Sequence, residues 1–370
     1  MNSNIKIGIV GCGWIAENAH LPTIKLNDNA EVFAVYDLQM ERCLKLAASF
    51  NIPHVFDDYD EFLQSEVDAV IIATPNFTHA DYSIRALEAG KHVLCEKPIA
   101  LSTEEMSKII AAAKKSGKIY MPGFVNRFRP DIKEMYELIK SGKIGEVQSV
   151  EAGWIRRSGV PRPGTWFTSK ERSGGGVLID LGSHVMDIAL MLMGEADSKS
   201  VEVYKWNEKF SEKAAKWFGK CEDIELQQDV EESIVGKIQF ATEKELLIAL
   251  SWNAPIKNDC TYFFVKGTKG VIELRNLFGF SNNKLWDKDT FTIKVSGEET
   301  IEMQNETSYA AKAFANMLDY FMKKIKKEDL DNYLSATDGY NSVEMIEKMY
   351  NSKSINPNLR SYIEHWREED

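Results

Sequence analysis

The residues best suited to chemistry lie in two short segments. Glu96-Lys97-Pro98 follows an apolar run, so a lysine stands where a buried strand is predicted to end. Asp180 and His184 are four residues apart in an apolar segment predicted to be helical, which would place a carboxylate and an imidazole on one face. Such a pair can accept a proton near neutral pH, because the carboxylate raises the basicity of the imidazole. Taken alone, these residues are more commonly explained as a helix-start residue, Asp180, and a satisfied polar group, His184.

A glycine-rich loop follows the first predicted strand. The apolar run IKIGIV leads into GCGWIA, residues 11–16, which fits the pattern G-x-G-x-x-A. Between a strand and a helix, this pattern gives a tight turn, close approach of backbone to a pyrophosphate, and a helix N-terminus directed at the phosphates. The next strand, EVFAVYD, ends in Asp37, where an acid binds a ribose 2′-hydroxyl and would repel a 2′-phosphate. The sequence therefore predicts NAD as cofactor, with NADP less favoured.

The elements around these residues alternate up to about residue 125. Helices predicted at 40–50, 59–63, 78–89 and 102–116 separate short apolar strands, which is typical of a parallel sheet covered on both faces. In such sheets, ligands bind at the carboxyl ends of the strands. We therefore predict an NAD-binding Rossmann domain, a doubly wound α/β sheet, over residues 1–125, with Lys97 at its cofactor crevice.

From about residue 145 the pattern is that of an α+β domain. Strand-like segments with period-two alternation are joined by short connections, which predicts a large, open, mostly antiparallel sheet. Helices are predicted at about 130–140, 178–193, 309–325 and 338–349. We assign residues 126–370 to substrate binding and oligomerisation. An open sheet needs its second face covered, so we expect a homodimer or homotetramer, with the last residues as a tail that packs on a neighbour.

Composition and charge argue against several classes of partner. The 370 residues are 44% hydrophobic and 27% charged, as in ordinary globular proteins. The net charge of −11 argues against nucleic acid and anionic membranes, because both attract basic surfaces. We recognise no targeting segment and no apolar run near the roughly 18 residues that span a bilayer. Five widely spaced cysteines without a C-x-x-C pair favour reduced thiols and no metal site, so we expect a cytoplasmic protein.

Five separated motifs together resemble the Gfo/Idh/MocA oxidoreductases. They are GIVGCGWIA, ATPNFTH, CEKP, GFVNRF and SGGGVLIDLGSHVMD, in that order. The family includes glucose–fructose oxidoreductase and inositol 2-dehydrogenase. The resemblance, which extends to about residue 350, therefore implies hydride transfer between a nicotinamide and a secondary alcohol of a sugar, sugar derivative or cyclitol.

The resemblance also implies roles for individual residues. Lys97 would be the catalytic lysine, and Asp180 and His184 the acid–base pair. The residues expected to bind the cofactor are Gly11, Gly13, Trp14, Ile15, Ala16, Asp37, Thr74, Pro75, Asn76, His79, Glu96, Lys97 and Asn126. The candidate substrate residues are Arg127, Arg156, Trp166 and Tyr309, for which a strand-end aromatic or a surface arginine is an equal explanation.

Other interpretations of the same motifs stay open. Some family members break glycosidic bonds with a resident NAD, others bind nucleotide and sugar as regulators without catalysis, and others reduce non-sugar substrates. The presence of the lysine together with the acid–base pair counts against a regulator, because a sensor has no need of them. Arg156, Arg157 and Arg162 could pair a substrate phosphate, although a solvated loop or an oligomer contact is an equal alternative.

Overall fold

A computed structural model of the chain describes two compact units. The described residues are 4–207, 229–281, 283–286, 289–298, 300–304, 309–328 and 331–365. The first unit combines residues 1–128 with 311–343, and the second combines 129–310 with 344–370. Residues 311–343 thus return to the first unit, which no motif had indicated. The functional division into 1–125 and 126–370 stays a prediction.

The chain alternates strands and helices in its first third and is richer in strands thereafter. The strands are β1 (Ile5–Val10), β2 (Ala30–Tyr36), β3 (His54–Phe56), β4 (Ala69–Ile72), β5 (His92–Glu96), β6 (Tyr120–Gly123), β7 (Val147–Ile155), β8 (Ser198–Trp206), β9 (Ser233–Phe240), β10 (Glu245–Ser251), β11 (Cys260–Gly267), β12 (Gly270–Asn276), β13 (Thr290–Val295), β14 (Ile301–Gln304) and β15 (Ser354–Ile355). The helices are α1 (Leu21–Lys25), α2 (Met40–Phe50), α3 (Tyr59–Gln64), α4 (His79–Glu88), α5 (Thr103–Ser116), α6 (Pro130–Lys140), α7 (Lys170–Ser173), α8 (Val177–Asp180), α9 (Gly182–Met193), α10 (Tyr309–Ile325), α11 (Ala336–Asn351) and α12 (Ser361–Glu364). A π-helical turn, Ala16–His20, precedes α1.

The first unit confirms the predicted doubly wound sheet. Its six strands are all parallel and lie in the order β3-β2-β1-β4-β5-β6. The order reverses between β1 and β4, which is where such sheets bind ligands beyond the strand ends. Ile7 and Ile9 of β1 are fully buried, and Phe314 and Phe321 of α10 belong to the same core. The glycine loop, Thr74 and Lys97 therefore all follow carboxyl ends of strands in this sheet.

Local signals explain why the helix predicted at 102–116 forms where it does. Ser102 caps α5 by accepting the N–H of Glu105, and the Glu105 carboxylate accepts the N–H of Leu101. This arrangement resembles a capping box, with the Glu105 carboxylate bound to the residue before the N-cap, and it satisfies two backbone donors at the helix start. The helix ends at Gly117, whose φ of 68° is a conformation that glycine adopts readily.

The second unit confirms the predicted open sheet. Nine strands lie in the order β14-β13-β12-β11-β7-β10-β9-β8-β15, antiparallel except for the pairs β7–β10 and β8–β15. Along β7, Ala152 and Trp154 pack on the face that holds α9, whereas Ile155 belongs to a separate apolar cluster with Val235 and Tyr262. The sheet is therefore apolar on both faces.

Residues 354–363 pack on the chain's own sheet. Ser354 and Ile355 pair in parallel with Glu202 and Val203 of β8. Further along, Leu359 and Ile363 are 3% and 2% exposed and join the cluster of the second sheet face. These residues thus have an intramolecular partner, where the sequence had predicted a neighbouring subunit.

The helix predicted at 178–193 is broken at Leu181 into α8 and α9. The Ser183 hydroxyl donates to the carbonyl of Ile179 over 2.6 Å and competes with the backbone ladder. The N–H of His184 donates to the carbonyl of Leu181, three residues back, at 3.2 Å. The prediction of one regular helical face was therefore wrong, since Asp180 ends α8 and His184 lies in the first turn of α9.

No single helix of the described residues is long and apolar enough to cross a membrane. The pair Lys170–Asp180 and Gly182–Met193, bent by 50°, reaches that length and composition only when its two parts are taken together. All but one residue of the second part is buried in the core of the second unit.

Candidate active site

The glycine loop has the shape that a dinucleotide requires. Gly11 has a φ of 99°, and a Cβ there would lie 2.7 Å from the carbonyl oxygen of Ala73, so only glycine fits. At Gly13 a Cβ would meet no atom within 4 Å, which leaves open space beside the backbone. Ala16 is fully buried, so the third position admits only a small residue. Trp14 and Ile15 between them are partly exposed.

Asp37 is fixed against this loop. One carboxylate oxygen accepts the N–H of Cys12 at 2.9 Å, and the other accepts the N–H of Gln39 at 3.0 Å. The side chain is partly exposed. A carboxylate is thus held beside the loop, where it can accept hydrogen bonds from ribose hydroxyls and where its charge opposes a phosphate.

His79 joins the two loops that follow β4 and β5. Its Nδ1 lies 2.7 Å from the carbonyl oxygen of Pro98 and its Nε2 lies 2.8 Å from that of Thr74. The ring is 1% exposed, and burial lowers the pKa of His79, while the two carbonyls act in the opposite direction. The structure therefore gives His79 a role in tying the loop Thr74–Asn76 to the turn around Lys97, and its contact with a cofactor stays a prediction.

Glu96 is bound to a histidine that the sequence analysis missed. His20, in the π-helical turn, places its Nε2 2.7 Å from a carboxylate oxygen of Glu96, and both residues are buried. The other Glu96 oxygen accepts the N–H of Lys97 at 3.3 Å. Lys97 itself is partly exposed. Glu96 is thus buried with a partner on each carboxylate oxygen, whereas Lys97 is accessible.

Asn126 and Arg127 lie in a helical turn after β6. Asn126 is 7% exposed and Arg127 is 2% exposed. The Arg127 guanidinium donates to the carbonyl of Tyr333 at 2.7 Å and lies 3.6 Å from the carboxylate of Asp338. These contacts tie the turn to residues of the 311–343 segment, and the predicted substrate role of Arg127 has no geometric support from them.

Asp180 is held by an indole. Trp252, which is 1% exposed, donates its Nε1–H to a carboxylate oxygen of Asp180 over 2.9 Å. The backbone N–H of Trp252 donates to the carbonyl of Glu232 at 2.9 Å, which fixes the start of the segment after β10. Asp180 is partly exposed, so the carboxylate combines a fixed donor with access to solvent.

One aromatic ring lies beside His184, and an arginine lies over that ring. His184 is 8% exposed, and its ring lies 5.9 Å from that of Trp154. The Arg156 guanidinium lies over the Trp154 ring, 4.9 Å from its centre. Burial lowers the pKa of Arg156, and the charges of Asp180 and Asp259 oppose that shift. The positive charge of Arg156 therefore acts on the same carboxylate that Trp252 binds.

The other candidate substrate residues of the second unit each have different surroundings. Arg157 is exposed and donates to the carbonyl of Lys257 at 3.3 Å. Arg162 has a φ of 34° and is partly exposed, and Trp166 stacks on Phe167 with ring centres 3.8 Å apart. Tyr309 begins α10, but its side chain lies outside the described part of the structure. Their predicted substrate contacts stay predictions.

The described residues contain no group of three or more His, Cys, Asp or Glu side chains arranged to hold a metal ion. The open space at Gly13 and the carboxylate of Asp37 are instead features that fit a dinucleotide. The residues that would hold it follow β1, β2, β4 and β5 of the parallel sheet.

Comparison with known proteins agrees with this geometry. The GFO_IDH_MocA family model described as "Oxidoreductase family, NAD-binding Rossmann fold" matches residues 5–124, and the model described as "Oxidoreductase family, C-terminal alpha/beta domain" matches residues 136–356. The second match therefore extends a few residues beyond the limit of about 350 that the sequence motifs had indicated.

Two relatives and one solved structure illustrate the similarity. The chain is 33% identical over 240 residues to a D-glucoside 3-dehydrogenase of Escherichia coli (strain K12), covering 65% of this chain and 68% of that protein. It is 29% identical over 192 residues to a myo-inositol 2-dehydrogenase of Thermotoga maritima, covering 52% and 55%. A levoglucosan dehydrogenase solved with NADH and levoglucosan superposes with a TM-score of 0.78 at 22% identity, covering 95% of this chain and 97% of that one, and this similarity shows the fold alone.

Proposed function

Because the chain belongs to the Gfo/Idh/MocA family of NAD-binding oxidoreductases, we propose that it is an NAD-dependent dehydrogenase of a secondary alcohol in a sugar, sugar derivative or cyclitol. The observation that carries the proposal is the position of Lys97. Lys97 follows β5 directly and is partly exposed. It lies at the carboxyl ends of the parallel strands, as do the glycine loop and Asp37. A cation at the carboxyl ends of the strands can stabilise negative charge on an oxygen of a molecule bound beside the cofactor.

The cofactor would be held by the first unit. Gly11, Gly13 and Ala16 accommodate the pyrophosphate, Asp37 accepts from the adenine ribose, and the loop from Thr74 continues the site. Bound NAD⁺ supplies the acceptor for the hydride that leaves the carbinol carbon. Asp37 also favours NAD over NADP, because its carboxylate, fixed by two backbone N–H groups, would face a 2′-phosphate.

The chain's own residues manage the proton and the oxygen. His184 accepts the proton of the substrate hydroxyl, for which an imidazole is suited at neutral pH. Asp180, oriented by Trp252, stabilises the imidazolium that results. Lys97 stabilises the negative charge that develops on the oxygen, and such electrostatic stabilisation is commonly the largest catalytic contribution.

The names of the relatives support a carbohydrate or cyclitol as substrate. One acts on a D-glucoside and one on myo-inositol, each a ring with several secondary hydroxyls. Arg156 is buried beside the Trp154 ring, and Arg157 is exposed. A phosphate on the substrate could pair with such side chains, so sugar phosphates belong among the candidates.

The assembly and location of the enzyme are part of the proposal. The second face of the nine-stranded sheet carries partly buried apolar side chains, including Phe264 and Trp286, beside the chain's own tail. Such an apolar face suits burial against a second copy in a homodimer or homotetramer. Light scattering at micromolar concentration would show a dimer or tetramer, and a single monomeric species would contradict this. The cytoplasmic location that we propose rests on the widely spaced cysteines, which suit reduced thiols.

The decisive experiment is NADH absorbance on mixing the protein and NAD⁺ with hexoses, glucosides, inositols, sugar phosphates and aminosugars. We expect a continuous rise with at least one of them, in proportion to enzyme, and none without substrate. A net rise also distinguishes a dehydrogenase from a glycosidase that returns the hydride to its substrate. Silence across the panel, despite measured NAD binding, would contradict the proposed substrate class.

A further inference from the structure

Glu231 is a buried carboxylate that binds the backbone of the glycine-rich turn ahead of Asp180. Both of its oxygens lie 3.1 Å from the N–H of Gly176, and Oε1 accepts the N–H of Leu178 at 3.0 Å. The backbone carbonyl of Glu231 accepts the N–H of Val177, also at 3.0 Å. Three consecutive N–H groups at the start of α8 are thus bound by one residue, which is 9% exposed.

Tyr350 completes this arrangement from α11. Its hydroxyl donates to Glu231 Oε1 over 2.7 Å. A Cβ at Gly175 would lie 2.0 Å from that hydroxyl, and a Cβ at Gly176 would lie 2.0 Å from the backbone carbonyl oxygen of Glu231. The glycines therefore let the turn pass beneath both residues, a requirement that the sequence motif alone did not explain.

The residue after Glu231 also holds Trp252, the hydrogen-bond partner of Asp180. Glu232 accepts the backbone N–H of Trp252, and the Trp252 indole donates to the Asp180 carboxylate. Residues 231–232 therefore hold the start of α8 through Glu231 and the carboxylate at its end through Glu232 and Trp252. The His184 helix follows after a single residue.

We infer that Glu231 and Tyr350 are positioning residues, which set the start of α8 and thereby the placement of Asp180 and His184. The inference rests on the proposed function of that pair. Hydrogen bonds from N–H groups to a carboxylate are stronger than neutral ones. One residue can therefore hold a turn that contains three flexible glycines.

Two variants test the inference on the enzyme. Tyr350→Phe removes one donor from Glu231, and we expect kcat to fall about tenfold, as expected for one hydrogen bond to a charged group. Glu231→Gln turns an amide N–H₂ towards backbone donors, so we expect kcat to fall on the order of 100-fold. The Kd for NAD should stay unchanged, because the proposed cofactor residues belong to the other unit.

The pH profile separates positioning from general loss of stability. A displaced Asp180 raises the basicity of His184 less, so the acid limb of the kcat profile should move to lower pH in both variants. Tyr59→Phe is the matched control, since the Tyr59 hydroxyl is buried and donates to the carbonyl of Tyr82 at 2.9 Å within the first unit. It should lower the melting temperature and leave the profile unchanged.

Amide hydrogen exchange over residues 174–184 tests the inference without substrate. Exchange should accelerate in Tyr350→Phe and in Glu231→Gln but not in Tyr59→Phe. If the unmutated protein oxidises nothing, the proposed function fails while exchange still decides whether these residues hold the turn. Unchanged exchange in folded Tyr350→Phe protein, or a kcat and pH profile equal to those of the Tyr59→Phe control, would overturn the inference.

Discussion

The hydrogen bond from Trp252 to Asp180 can be removed with little change of shape. A hydrogen bond to a charged group is worth roughly 1.5–3 kcal/mol, and each 1.36 kcal/mol changes a rate about tenfold. Its loss should therefore lower kcat by about 10- to 150-fold if the carboxylate must be held during proton transfer. Because Asp180 is partly exposed, water can replace the donor in part, so we expect the loss of kcat to be nearer to tenfold.

Two substitutions at position 252 separate the hydrogen bond from packing. Trp252→Phe removes the donor and part of the side-chain volume, so it should also lower stability, by less than the roughly 3–5 kcal/mol of a buried aromatic cut to alanine. Benzothienylalanine at the same position replaces the N–H by sulfur and keeps the volume. Steady-state kinetics with saturating NAD⁺ and thermal melts should show similar kcat losses for both. The larger loss of stability should be in Trp252→Phe, which loses packing as well as the hydrogen bond. A benzothienylalanine protein with unchanged kcat would refute the reasoning.

Two further predictions concern the first unit. Asp37→Ala removes a hydrogen-bond acceptor and a negative charge beside the glycine loop, so NAD should bind about tenfold more weakly. The preference for NAD over NADP should also become smaller, as measured by fluorescence titration with both cofactors. An unchanged ratio of the two Kd values would contradict the role of Asp37. His92 accepts the N–H of Ile119 on Nδ1 at 3.0 Å, and burial lowers its pKa from 6.5 to about 4. The unfolded chain therefore binds the proton first, so this stabilisation is present above pH 6.5 and is lost as the pH falls towards 4. His92→Asn, which keeps an acceptor and does not titrate, should flatten the fall of melting temperature over that range, and an equally steep fall in both proteins would exclude His92 as the cause.

The parallel sheet could be predicted because its signals are local. The spacing of Gly11, Gly13 and Ala16, the acid at the end of β2, and the alternation of apolar strands with helices each depend on residues close in sequence. The turn at Lys97 was located in the same way, since it follows a strand whose apolar run ends at Cys95. Such features need no knowledge of the rest of the chain.

The contacts that fix the candidate site could not be predicted, because they join distant residues. His20 and Glu96 are 76 residues apart, and Asp180 and Trp252 are 72 apart. No pattern in the sequence pairs them. The break at Leu181 was missed for a different reason, since apolar periodicity does not reveal where the backbone hydrogen bonds of a helix change their pattern.

The return of residues 311–343 to the first unit was also outside the reach of sequence patterns. Helix α10 has an ordinary apolar face, and periodicity alone does not say which core that face joins. The structure shows that Phe314 and Phe321 join the core of the Rossmann sheet. Position along the chain was therefore a poor guide to the unit in which this helix packs.

The proposed reaction depends on Lys97 above all other residues, and Lys97→Ala tests this. The measurement is kcat for NADH formation with the best substrate of the panel, together with the Kd for NAD⁺, in the unmutated and variant proteins. We expect turnover to be abolished while NAD⁺ still binds, because the glycine loop and Asp37 are untouched. Activity within about tenfold of the unmutated protein, a loss of no more than roughly 1.4 kcal/mol in transition-state stabilisation, would contradict the catalytic role proposed for this lysine.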